Sequence, residues 1–163
     1  MQTRPWLKNY DYCIPTTLRF PRFPLQHFLH LAAAQFPFKA ATDFYGSEMT
    51  FSQLRTQMLR LANALIQLGV QKGDRVGLAL PNCPQYIIAY HAILSAGAIV
   101  VNMNPLYTHD ELKFMLDNTS VRLLVTFDGA LPTMRPLSKE LGIALIVTRV
   151  TDYITGFGVS TAK

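Results

Sequence analysis

Residues 73–103 read GDRVGLALPNCPQYIIAYHAILSAGAIVVNM, and this stretch decides the fold. Arg75 to Leu80 is a short apolar run, opened by Gly73-Asp74 and closed by Pro81-Asn82, which suits a strand buried on both faces. Asn82 caps a helix predicted over Cys83 to Ala96, with Pro84 tolerated in its first turn and Gly97 as its stop. Ala98 to Met103 is a second buried strand. A strand, a helix and a strand in this order make a parallel pair with a right-handed crossover.

The same alternation continues downstream. Thr108 with Glu111 makes a capping box, and Tyr107 with Leu112 a hydrophobic staple, for a helix running to about Asn118. Arg122 to Phe127 is a third strand, Pro132 to Leu141 a weaker helix interrupted by Pro136, and Ile143 to Thr148 a fourth strand. Upstream, Leu25 to Phe36 reads as a helix stopped by Pro37, and two short extended runs flank Gly46-Ser47 as a hairpin. Thr50 and Gln53 form a capping box, with Met49 and Leu54 as its staple. The helix that follows carries one apolar stripe of Leu54, Met58, Leu61, Ala62, Leu65 and Leu68, and Gly69 ends it. The fold class is therefore α/β: a mostly parallel sheet flanked by helices on both faces, with an extended N-terminal arm and a small β-hairpin. The expected organisation is an arm over 1–24, an α/β subdomain over 25–150, and a linker over 151–163 cut short before a missing subdomain.

Composition narrows the function classes. Half of the 163 residues are hydrophobic and 15% are charged, which excludes a disordered tail. The low charged share fits a surface that normally lies against more protein. Ala92 to Val101, the longest near-apolar run, is about half of what a membrane span needs. The first residues have no signal-peptide stretch, so the expected compartment is cytoplasmic. Two cysteines, Cys13 and Cys83, make no disulfide framework. Arg4, Lys8, Arg19 and Arg22 against Asp11 give the arm +3 of the chain's +5. That patch suits phosphate, anionic lipid or an acidic partner; nucleic acid would want a denser stripe. Four prolines and five aromatics (Trp6, Tyr10, Tyr12, Phe20, Phe23) predict an arm that packs on its own domain or on a neighbouring subunit.

Crevices beyond the carboxyl ends of parallel strands take the ligands of such sheets. Here those ends are Pro81-Asn82-Cys83-Pro84, the loop from Asn102 to Thr108, and Asp128-Gly129. None is a phosphate-cradling glycine loop, and Gly69, Gly73 and Gly77 stand in the wrong context for one. Gly156-Phe157-Gly158 has no helix after it and reads as a turn. Asn102 and Asn104 either tie their loop or meet a ligand. Asp74 is read as bonding local backbone, and Asp110 and Glu111 as serving a helix start rather than paired-carboxylate chemistry. Cys83, at a helix N-terminus without a nearby His, is read as a buried inert thiol rather than an activated one. His27 and His30 share a helix face, but no Cys or carboxylate joins them as metal ligands. Asn118-Thr119-Ser120 fits the glycosylation pattern, but nothing routes the chain to a secretory compartment. No residue is therefore assigned as catalytic, cofactor-binding or metal-ligating.

Several segments are similar to a known family. Met49-Thr-Phe-Ser-Gln-Leu, Leu61-Ala-Asn-Ala-Leu and Leu68-Gly-Val-Gln-Lys-Gly-Asp-Arg-Val resemble the first conserved segment of the adenylate-forming, AMP-binding enzymes. Ala92-Ile-Leu-Ser-Ala-Gly-Ala-Ile-Val-Val-Asn-Met-Asn-Pro resembles the second. Asn104-Pro-Leu-Tyr-Thr with Glu111-Leu, Pro81-Asn-Cys-Pro-Gln-Tyr, and Arg4-Pro-Trp-Leu-Lys-Asn-Tyr look like the long-chain fatty-acid–CoA ligase branch. The resemblance implies a full-length enzyme that joins a fatty acid and ATP into an acyl-adenylate and pyrophosphate. Coenzyme A then displaces AMP, and magnesium offsets phosphate charge.

The resemblance also implies homodimer contacts through the N-terminal region, and the basic arm allows peripheral membrane contact. The family's phosphate loop, its Tyr-Gly-x-Thr-Glu motif, ribose-binding Asp, hinge and C-terminal catalytic Lys do not occur in these residues. The expectation is an N-terminal fragment that serves as scaffold, binds no ATP, CoA or Mg by itself, and is inactive without the C-terminal portion of the same enzyme. Three alternatives stand beside it: another acyl- or aryl-CoA ligase, a naturally truncated assembly module, and a stand-alone flavodoxin-like nucleotide-binding domain, which lacks a phosphate loop.

Overall fold

The computed structural model describes residues 4–154. A 3-10 turn at Pro5–Asn9 opens it, followed by α1 at His27–Gln35. A hairpin of β1 at Ala40–Phe44 and β2 at Ser47–Thr50 leads into α2 at Phe51–Gln67. Then come β3 at Arg75–Ala79, α3 at Pro84–Ser95, β4 at Ile99–Asn102 and α4 at His109–Thr119. β5 at Leu123–Phe127, α5 at Leu131–Leu141, β6 at Ala144–Thr148 and a 3-10 turn at Val150–Tyr153 complete it. The last residues of the expected linker, 155–163, and the turn read at Gly156-Phe157-Gly158 lie outside the described residues.

β3, β4, β5 and β6 form one all-parallel sheet in the order β4-β3-β5-β6. The chain leaves β3 toward one edge and returns past it to the other. Right-handed crossovers then put α3 on one face and α4 and α5 on the opposite face. The two cores obey this split. Val76, Leu78 and Leu80 join Leu123 and Val125 under α2 and α3. Ala79 and Leu124, pointing the other way, join Leu112 and Leu116 of α4 and Met134 and Leu137 of α5. Alternation along each strand is what a sheet covered on both faces requires.

Both capping boxes form as read. Gln53 N–H donates to Thr50 Oγ1 at 3.3 Å and Thr50 N–H to Gln53 Oε1 at 2.8 Å. Glu111 N–H donates to Thr108 Oγ1 at 3.4 Å and Thr108 N–H to Glu111 Oε2 at 2.8 Å. Gly69 and Gly97, with φ of +90° and +80°, follow the ends of α2 and α3 in a conformation that a side chain strains.

Some expectations need correction. The cap of α3 is Cys83, not Asn82, and its side chain makes no capping bond. The rigid φ of Pro84 starts the helix one residue later and fills the first position, whose N–H would be unpaired anyway. The hairpin turns on Tyr45-Gly46, both at positive φ, one residue before the expected Gly46-Ser47. Asp43 Oδ1 accepts the Gly46 N–H at 3.0 Å and fixes that register. Leu68 leaves the α2 stripe and is exposed, because the helix has already ended at Gln67. Pro136 does not interrupt α5, since the helix absorbs one missing donor. Most of the arm stays off its own domain: along 4–24 only Leu7 and Phe23 are even half-buried, and Phe23 alone of the arm aromatics sets its ring against α1, at His27 and Phe28.

Candidate functional site at the strand tips

The carboxyl ends of β3 and β4 converge on a cleft of about 610 Å³. Its walls are the β3–α3 turn at Leu80-Pro81-Asn82 and the loop that carries Asn102, Asn104 and Tyr107, with Phe127 from the end of β5. The fold dictates this placement. β3 sits inside the sheet and leads to α3 on one face, while its neighbours β4 and β5 lead to α4 and α5 on the other, so the turns above them splay apart.

The loop after β4 is tied down locally. Met103 N–H donates to Leu78 O at 3.0 Å, and Leu106 N–H donates to Asn104 Oδ1 at 3.0 Å. Tyr86, in the first turn of α3, donates its hydroxyl to Asn102 Oδ1 at 3.0 Å and stacks on Tyr90. Asn102 and Asn104 thus both brace the loop while standing at the cleft. Asp128 is not part of the wall; its carboxylate turns back to accept the N–H of Gly129 at 3.0 Å. The sequence reading missed Tyr86 and Phe127 as wall residues. A tyrosine one turn beyond a strand tip and a bulky last strand residue were the available signals.

Asp74 bonds backbone, as read: Gln71 N–H donates to its Oδ2 at 2.8 Å. Cys83 is buried, and burial pushes its thiol above the ordinary range although the N–H groups of Tyr86 and Gln85 partly offset this. The buried placement is the one read from the sequence. Beside it a second cavity of about 310 Å³ separates Thr42 and Phe44 of the hairpin from α3. His27 is exposed and His30 half-buried, 6.4 Å apart between rings. Among the described residues, no group of three or more His, Cys, Asp or Glu could hold a metal ion.

The strand-tip cleft has no charged side chain in its wall. A nucleoside triphosphate and its magnesium need cations, carboxylates or a cradle of backbone N–H groups. These residues therefore do not fit ATP or magnesium.

The sequence pattern of the AMP-binding enzyme family matches residues 29–154. The chain belongs to that family. It is 44% identical over 153 residues to a long-chain-fatty-acid–CoA ligase of Bacillus subtilis, which covers 93% of this chain and 27% of that protein. It is 35% identical over 161 residues to a long-chain-fatty-acid–CoA ligase of Escherichia coli, covering 97% of this chain and 28% of that one. Among solved structures, a long-chain-fatty-acid-CoA ligase from Archaeoglobus fulgidus superposes with a TM-score of 0.74 at 25% identity, over 81% of this chain and 28% of that one. The chain thus spans little more than a quarter of the length of these relatives and corresponds to their N-terminal part. The four-stranded parallel sheet with helices on both faces is the architecture this chain shares with the Archaeoglobus fulgidus ligase.

Proposed function

We propose that this chain is the N-terminal portion of a long-chain fatty-acid–CoA ligase, which activates a fatty acid with ATP and transfers the acyl group to coenzyme A. The observation that carries the reading is the 44% identity to the Bacillus subtilis ligase, sustained over 93% of this chain. In this reading the organisation is an arm over 1–24, a supporting subdomain over 25–150 and a linker over 151–163. ATP, magnesium and coenzyme A belong to the part of the enzyme that these residues do not supply. No residue here is given a catalytic, nucleotide-binding or metal-binding role; the sheet and its helices are the wall against which the reactive part packs. The uncharged strand-tip cleft supports that division of labour.

The arm carries two further roles. Trp6, Tyr12, Leu18 and Phe20 are exposed, which supports contact with a second copy. Arg4, Lys8, Arg19 and Arg22 favour an anionic membrane as a peripheral resting place for a cytoplasmic enzyme. No helix among the described residues is long and apolar enough to cross a membrane.

Two measurements test the reading. The reading frame beyond Lys163 is expected to encode a Thr/Ser/Gly-rich phosphate loop, and a stop codon there overturns it. The 163-residue chain given ATP, magnesium and palmitate is expected to release no pyrophosphate. Vesicle co-sedimentation that survives replacement of the four arm cations by Gln removes the membrane role.

A further inference from the structure

α1 is apolar nearly all round, yet it lies on the surface. Its residues, HFLHLAAAQ, include no Asp, Glu, Lys or Arg. Leu29 and Ala33 are buried, and on one flank His30 accepts from Arg55 of α2. On the other flank Leu25, Phe28, Ala32 and Phe36 follow one another at spacings of three and four residues, with Leu31 beside them. Leu25, Phe28, Leu31 and Phe36 are each between 41% and 52% exposed, and Phe38 just beyond them is 88% exposed. A helix this apolar is ordinarily covered on every side. A stripe of rings and aliphatic chains left open to solvent marks an interaction surface.

The charge around the stripe selects the partner. Between Asp11 and Asp43 the chain has no carboxylate, while Arg19, Arg22 and Lys39 fall in that interval. Two of these cations stand at the ends of the stripe. Lys39 Nζ lies 5.8 Å from the centre of the Phe36 ring. Arg22 precedes Phe23, whose ring centre is 4.7 Å from that of His27 and 4.9 Å from that of Phe28. The asymmetry extends to the whole layer. α1, α2 and α3 carry Arg55 and Arg60 and no carboxylate, whereas α4 and α5 carry Asp110, Glu111, Asp117 and Glu140. An apolar stripe with a cation at each end and no acid nearby complements an anionic lipid surface, which offers acyl chains to the rings and phosphates to the cations. A second copy docked face to face would instead bring two patches of the same sign together.

We propose that the outer flank of α1 is a docking surface for an anionic lipid bilayer. Leu25, Phe28, Leu31 and Phe36 sink into the boundary between headgroups and acyl chains, and Arg22 and Lys39 meet lipid phosphates. α1 then lies in the plane of the interface, held by apolar contact that cations alone do not supply. This surface goes beyond the role given to the arm's cations, because the stripe lies outside the arm over 1–24. It does not depend on the ligase reading.

The test uses the 163-residue chain with vesicles of phosphatidylglycerol and phosphatidylcholine, and with vesicles of phosphatidylcholine alone. Phe28→Trp in a Trp6→Phe background is expected to shift its emission to the blue on the anionic vesicles and to be quenched by brominated acyl chains. Phe28→Gln with Leu31→Gln should weaken co-sedimentation about tenfold. Lys39→Gln should weaken it about fivefold. All three side chains are exposed, so the melting temperature should not change, and lost contact is separated from lost fold. Co-sedimentation without quenching at position 28 overturns the α1 surface and leaves the arm's role standing. Co-sedimentation and quenching that both survive replacement of the four arm cations by Gln remove the arm's role and leave the α1 surface standing. Equal binding to the two kinds of vesicle, or binding to neither, overturns the proposal. So does a dimer in lipid-free light scattering that Phe28→Gln with Leu31→Gln turns into a monomer, which would assign the stripe to a second copy.

Discussion

Arg55 of α2 donates from Nε to Nδ1 of His30 on α1 at 3.0 Å, and this bond demands a neutral His30. Burial, the Arg55 guanidinium and His27 together hold the His30 imidazole below its ordinary value. His91 on α3 is lowered as well, by burial and then by His30. The sequences of α1, α2 and α3 contain no Asp or Glu, so no carboxylate on these helices compensates a protonated ring.

A histidine with a lowered folded pKa stabilises fully above its unfolded value near 6.5, and that stability is lost as pH falls through the folded value. The melting temperature is expected to drop between pH 7 and pH 5, with protection of α1 amides dropping first in hydrogen exchange. His30→Gln should flatten the drop. Arg55→Gln should raise the His30 midpoint in an NMR titration; an unchanged midpoint would show that the contact does not act on the ring.

Gly77 sits mid-strand in β3, where an added Cβ would meet Leu124 Cδ1 at 2.6 Å and Val121 Cγ1 at 3.3 Å. Gly77→Ala is expected to cost about 1–3 kcal/mol in urea unfolding through overpacking. Combining it with Leu124→Ala should cost less than the two single changes together, because the second side chain vacates the space.

The two capping boxes differ in chemistry. Gln53 cannot titrate, whereas bonds from Thr108 hold the Glu111 carboxyl below its ordinary range. The stability that Glu111 lends is present above that range and is lost as pH falls through the lowered value. Protection of the Thr108 amide, taken against its intrinsic exchange rate, should therefore fall in acid while that of the Thr50 amide does not. Thr50→Ala should cost about 1 kcal/mol at any pH.

Cys13 is exposed, while Cys83 is buried with its thiol pushed up. Iodoacetamide at pH 8 should label Cys13 in the folded chain and Cys83 only after denaturant is added. Comparable rates by mass spectrometry would contradict the packing around α3.

Much of this fold could be read from local chemistry. The boxes at Thr50 and Thr108 and the glycines at 69 and 97 are local signals, and local signals survive folding. What escaped was nonlocal. Gln85 reads as an ordinary first-turn residue until Arg149 and Val150, far away in sequence, bring their carbonyls to it. Tyr153 reads as linker because the periodicity there is too short to register, yet it packs with Val150 against the α2–α3 side of the core. The strand tips were legible from Pro81 and Pro105. That Phe127 closes the cleft while Asp128 turns away follows from a 3-10 turn at Asp128–Ala130 with no clear sequence mark.

The strand order sets a timetable for the ribosome. β3 emerges before both of its neighbours, yet it occupies an interior place between β4 and β5. Its apolar flanks stay unpaired until β4 has been made, and one side waits until β5 follows. Until β5 arrives the nascent chain holds a sticky segment with one edge unpaired, which is the interval in which a chaperone would matter most.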